Sequence, residues 1–130
     1  MGLPQYVAIL GFAALSRLVA RLPPARLESV LEPRGVPRQH DPAEIERVAQ
    51  RIERVLSRSE PVLRHHCLTR GLTRYFFHRR MGANVQLVFG IGEIDGRPHG
   101  HCWLLRDGML YHESSDPEQT FTAVYSLPSR

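Results

Sequence analysis

Apolar positions recur at helical spacing along the first half of the chain and at alternate positions along the second. In the first half, residues 4–22 form a predicted helix stopped by Pro23-Pro24, and a shorter one covers 25–31. "EPRGVPRQHDP" (32–42) holds three prolines and a glycine, so it reads as a loop. Asp41 then caps a helix, with Pro42 at its first position and Glu44 three residues after the cap. Ile45, Val48, Ile52, Val55 and Leu56 lay one apolar stripe along that helix, and Ser59 to Pro61 breaks it. The next helix starts near Cys67 and ends at Gly82, a residue suited to a left-handed cap. Leu68, Leu72, Tyr75 and Phe76 share one of its faces, which is expected to be buried.

After Gly82 the period changes. "NVQLVFGIG" (84–92) reads as a strand, "EIDGRP" (93–98) as a turn and "HGHCWLLR" (99–106) as a second strand. The pair "DG" (107–108) signals a hairpin returning through "MLYHES" (109–114), and "TFTAVYS" (120–126) reads as a last strand. Helices first and antiparallel strands afterwards predict one α+β domain over 1–130, its N-terminal helices packed on a small C-terminal sheet. Residues 1–40 form its helical N-terminal part and 41–130 the core that would carry the chemistry.

Composition narrows the function. With 42% hydrophobic residues and no low-complexity tract, 130 residues can bury a core without staples. Two cysteines make no disulfide framework and fit a reduced, cytoplasmic protein. The net charge of +4 is uneven: residues 1–80 hold 14 Arg against 7 acids, residues 81–130 hold 3 Arg against 6 acids. That asymmetry could attract an acidic partner, but no tight basic run, zinc-finger spacing or RNA-binding aromatic signature supports nucleic acid. The apolar run Tyr6–Leu15 is ten residues long, short of the roughly 20 that span a bilayer. No positive residue precedes it, which argues against a signal peptide. It reads as a buried helix or one that docks on a partner.

In "LRHHCLTRGLTRYFF" (63–77), Cys67 stands where a polar segment becomes an amphipathic helix. A thiol there meets the positive end of the helix dipole, which favours thiolate. Strand alternation puts His101 and Trp103 on one face and Cys102 and Leu104 on the other, so Cys102 is expected to point away from the site. Glu113 follows His101 by twelve residues, across the Asp107-Gly108 turn on the neighbouring strand. Cys on a helix start, His on one strand and an acid on the next suggest nucleophile, base and orienter. Each alone has a plainer reading, as a packing thiol, a structural histidine and a solvated strand end. His65, His66 and His99 invite a zinc reading with Cys67 and His101, but no ligand spacing supports it, and no metal is expected. His66 and Trp103 are candidates to line the cleft. Arg70 and Arg74, one turn apart, are candidates to hold an acidic peptide or partner, or else form a solvated helix face.

Taken in order, "CLTRGL" (67–72), "LVFGIG" (87–92) and "HCWLLRDG" (101–108) resemble the small transglutaminase-like cysteine proteases of lasso-peptide biosynthesis. Those enzymes show Cys-Leu at a helix start, an apolar strand with Gly, and His-Ala-Trp before a second strand. The resemblance covers roughly residues 40–115 and, more loosely, the helical N-terminus. It implies a papain/transglutaminase-like fold and removal of a leader from a ribosomally made precursor. Cys67 would attack the peptide carbonyl, His101 would carry the proton, and the acid after the hairpin would fix its tautomer. No cofactor is implied. The implied partners are the precursor peptide, a separate leader-recognition protein and an ATP-dependent cyclase.

The chain departs from that pattern in three ways. Glu113 stands where the family usually has Asp, with Asp107 and Asp116 as alternative acids, and Cys102 stands where it has Ala. No fused winged-helix-like recognition domain is present, so the chain resembles the stand-alone form. Three competing readings remain: an acyl transferase or amidase using the same Cys-His pair, a non-catalytic peptide-binding protein on the same fold, and a membrane-surface protein using residues 4–22.

Overall fold

Caps, breakers and apolar stripes place the helices close to where the sequence puts them. The computed structural model describes residues 3–35, 37–59, 67–113 and 116–128. Helix α1 runs Leu3–Val19, α2 Pro24–Leu31, α3 Pro42–Ser59 and α4 Cys67–Arg80. After α1, Arg21 and Leu22 donate to the Leu18 and Val19 carbonyls, a tight turn that ends the helix before residue 22. Asp41 caps α3: its Oδ1 accepts from the Ala43 N–H at 3.3 Å, and its carbonyl accepts from Ile45 at 3.0 Å. Gly82, at φ +80°, closes α4 in the left-handed conformation.

The strands are β1 (Val85–Ile94), β2 (Arg97–Arg106), β3 (Met109–Leu110) and β4 (Phe121–Leu127). They form one antiparallel sheet in the order β3-β2-β1-β4. The predicted turn over 93–98 is shorter than expected. Asp95 and Gly96 both take positive φ, 52° and 75°, which suits a two-residue hairpin and lets pairing run to Ile94 and Arg97. The predicted strand over 109–114 is also shorter, because β3 ends at Leu110. Tyr111 makes one more ladder bond, to the Leu104 carbonyl, and His112 then turns the chain away at φ 55°. Glu113 is therefore not on a strand.

Helix α4 is the centre of the molecule, packed on β1 and β2 on one side and on α1 and α3 on the other. Leu72 and Tyr75 are fully buried, as the apolar face predicts, while Leu68 and Phe76 are half-buried. Thr69, Thr73 and His78 are buried too, because helices also cover the far side of α4. Each finds a local partner: Thr73 donates to the Thr69 carbonyl (2.7 Å), Ser16 reaches the Thr69 hydroxyl, and His78 Nδ1 lies 2.8 Å from the Arg74 carbonyl. Two glycines permit close approach. A Cβ at Gly71 would lie 2.9 Å from Cys102 Sγ and 3.0 Å from Leu87 Cδ1, so α4 sits tightly on the sheet. A Cβ at Gly90 would lie 2.8 Å from the Trp103 ring and 3.0 Å from the Thr122 carbonyl.

Helix α1 turns Ile9, Ala13 and Ser16 inward and leaves Val7, Leu10, Leu15 and Leu18 exposed. Among the described residues no helix is long and apolar enough to cross a membrane.

Gly90→Ala should destabilise the fold by about 1–3 kcal/mol, because the new methyl has ring and backbone against it. Urea unfolding checks this; an unchanged midpoint would mean that Trp103 can shift freely.

Candidate active site

Cys67 is the first residue of α4 and is half-buried. The first turn of a helix has main-chain N–H groups without intrahelical partners, so negative charge is favoured there. β3 pairs with Leu105 and Arg106 of β2 and Tyr111 adds its bond to Leu104, so among the described residues no strand pairs with the β2 edge at Cys102. The Cys67 sulfur lies against that edge. The Cys102 thiol gives it a hydrogen bond, and burial opposes the resulting charge. The Cys102 main-chain N–H and the His101 ring, by bond and by charge, add to the stabilisation. Together they push the Cys67 thiol down to about 5, so it is a thiolate at neutral pH. The Cys102 thiol is pushed up, first because it donates to Cys67 and second because it is buried. That thiol also donates to the Cys67 carbonyl oxygen at 3.1 Å, so its one proton is shared between two acceptors of Cys67.

This corrects the expectation that Cys102 points away from the site. Alternation does place it on the opposite face of β2 from His101. Cys67, however, sits at the strand's edge, where side chains from both faces reach it. His101 is held between aromatic rings: Trp103 stacks at 5.9 Å between centroids and Phe121 lies at 5.0 Å. Trp103 is buried at 1% exposure and sets one side of that slot, and it is not among the residues that line the cleft beside Cys67. Phe121 carries no sequence signal linking it to His101, because the link depends on β4 returning beside β1.

Glu113 is placed elsewhere. Its carboxylate is 3.9 Å from Arg74 Nη2, and no hydrogen bond joins it to His101 among the described residues. The reason is the early end of β3. Tyr111 is drawn toward α3 and α4, donating to Glu46 Oε1 at 2.9 Å with its hydroxyl 3.4 Å from His78 Nε2. The left-handed turn at His112 then delivers Glu113 to the helix-facing side of the sheet, opposite the His101 face. The alternative acids are committed as well. Asp107 sits in its turn at φ 52°, and Asp116 accepts from the Glu118 N–H at 3.0 Å.

Arg74 is not on a solvated face. Its side chain is 2% exposed, donates to the Tyr111 carbonyl at 3.3 Å, and keeps a buried Nε without a partner. Burial, with Arg70 nearby, lowers its pKa. Arg70 is bonded to Glu53 at 2.8 Å with both side chains partly exposed. Arg74 is therefore not free to hold an acidic peptide, whereas the partly exposed Arg70 is paired through its Nε. His66, with His65, lies outside the described residues, and among those described no three His, Cys, Asp or Glu side chains gather as a metal site.

Beside Cys67 and His101 opens a cleft of about 580 Å³. Leu68, Phe89, Ile91, Val124 and Tyr125 form most of its wall. A thiol and an imidazole set side by side on the wall of a cleft are the groups that nucleophilic catalysis uses.

A family model described as "Transglutaminase-like superfamily" matches residues 9–126. No curated protein and no solved structure matches the chain.

Replacing Cys102 with Ala should raise the Cys67 pKa from about 5 toward that of an ordinary thiol, since a donor to the thiolate is removed. The rate of iodoacetamide alkylation against pH reads this: wild type stays fast down to mildly acidic pH, whereas Cys102→Ala slows at higher pH. Coincident profiles would show that Cys102 does not bond the thiolate. Glu113→Ala should lower stability by about 1–3 kcal/mol by leaving Arg74 buried without its counter-charge. Glu113→Ala at wild-type stability would remove that pairing.

Proposed function

The chain belongs to the transglutaminase-like superfamily, which includes cysteine proteases and acyltransferases, and on that premise we propose that it is a lasso-peptide leader peptidase. In this reading it removes the leader from a ribosomally made precursor before macrocyclisation. The observation that carries the proposal is the placement of Cys67 at the start of α4 with Cys102 and His101 beside its sulfur, on the wall of a cleft of about 580 Å³.

The Cys67 thiolate attacks the carbonyl carbon that joins leader to core, and the carbonyl π pair moves to oxygen. Main-chain N–H groups of the first turn of α4 stabilise that oxyanion. As the C–N bond breaks, His101 gives the leaving amine the proton it holds. His101 then takes a proton from water, whose oxygen attacks the thioester, releasing the leader as a carboxylic acid and restoring the thiolate. The freed amino group of the core is the group an ATP-dependent cyclase would join to an acidic side chain. A separate recognition protein presents the leader.

Trp103 and Phe121 hold the His101 ring in place. Glu113 acts as the counter-charge of Arg74, so the catalytic pair is Cys67 and His101.

Mass spectrometry of the protein mixed with precursor and recognition protein tests this. One leader-sized cut is expected, absent with Cys67→Ala and slowed roughly 10²–10⁴-fold with His101→Ala. A product carrying an amine acceptor in place of water would reassign the protein to acyl transfer. An intact precursor, with the recognition protein bound, would favour a non-catalytic binding protein.

A further inference from the structure

The cleft beside Cys67 has an unusual wall for a peptide site. Ile91 and Val124 are 60% and 53% exposed, and Tyr125 is 39% exposed, so apolar surface stands in water next to the nucleophile. Tyr125 stacks on Phe89 with ring centroids 4.5 Å apart and planes 14° from parallel, which makes that part of the wall flat and stiff. The pairing of β1 with β4 shifts between Phe89 and Gly90, leaving Val124 as the extra residue of a bulge. A bulge lets two successive side chains face one way, and Val124 and Tyr125 both line the cleft. Among the described residues no Asp, Glu or Arg lines it. A charged substrate side chain would lose its hydration against that wall and meet no counter-charge from it.

We propose that this wall is a specificity subsite that takes an apolar side chain, aliphatic or aromatic, from the residue that supplies the scissile carbonyl. The proposal rests on the reading of Cys67 as the nucleophile. The acyl fragment is the part that stays bonded to Cys67 through both halves of the reaction, so a wall continuous with that sulfur serves it longest. The departing amine needs only to leave past His101.

N-acetyl aminoacyl chloromethyl ketones with Leu, Phe, Asp or Lys side chains test this, because they carry the acyl-side residue alone. In labelling, the sulfur displaces chloride and forms a thioether. Each second-order rate is divided by the same protein's rate with iodoacetamide, which has no side chain to recognise. The Leu and Phe probes should label Cys67 at least about tenfold faster than Asp and Lys on that scale. Val124→Asp should shift the preference toward the Lys probe, and Val124→Arg toward the Asp probe. Equal normalised rates in wild type, with iodoacetamide reacting rapidly, would overturn the subsite and leave the nucleophile intact. Slow iodoacetamide labelling of a folded protein would overturn both. A clear apolar preference with an uncut precursor would support the subsite and remove the leader-peptidase reading.

Discussion

Among the described residues no strand pairs with the outer edge of β2 at Cys102, and α4 sets its first residue against it. Continued in register, β3 would bring Glu113 opposite Cys102 and deny the Cys67 sulfur the Cys102 N–H. The whole site follows from this one missing partner. The helix terminus brings free N–H groups, the strand edge brings a main-chain donor, and adjacent residues on opposite faces of β2 both reach the same sulfur. Stabilising a buried thiolate needs such convergence, since burial alone raises a thiol's pKa. Here the donors win, and the thiol is held at about 5.

Why β3 stops so early is visible in the side chains that follow it. Tyr111 is anchored to Glu46 of α3, with Arg106 Nη1 3.3 Å from its hydroxyl. Burial and the bond to Glu46 push its own pKa up to about 12. Burial likewise pulls His78 down to about 4, so it stands as a neutral ring beneath Tyr111. This polar cluster lies under the hairpin between α3, α4 and β2. It holds the chain at 111–113 toward the helices and keeps it off the β2 edge.

Much of this architecture was legible in local signals. The stripe from Ile45 to Leu56, the Asp41 cap, the Gly82 stop and the Asp-Gly turn at 107–108 each depend on neighbours within a few residues. Cys67 as the first helical residue was legible for the same reason. What failed depended on distant groups. The end of β3 is decided by Tyr111 meeting Glu46, sixty-five residues away, and the destination of Glu113 by a buried Arg74. Arg74 itself looked like a surface residue because its partners lie on another element. Alternation was right about the faces of β2 and wrong about their consequence, since it says nothing of a side chain arriving at the edge.

Gly71 and Cys102 meet where α4 presses on the sheet, and together they fill one small volume. The helix gives up a side chain there, and the strand fills the gap with a sulfur. Helix propensity alone favours Ala over Gly by about 1 kcal/mol, so a strand residue smaller than Cys would let the helix position grow. The two sites, thirty-one residues apart, should therefore change size in opposite directions across related chains. A thiol beside Cys67 is in that sense tied to a glycine on the helix, and the two should be gained and lost as a pair.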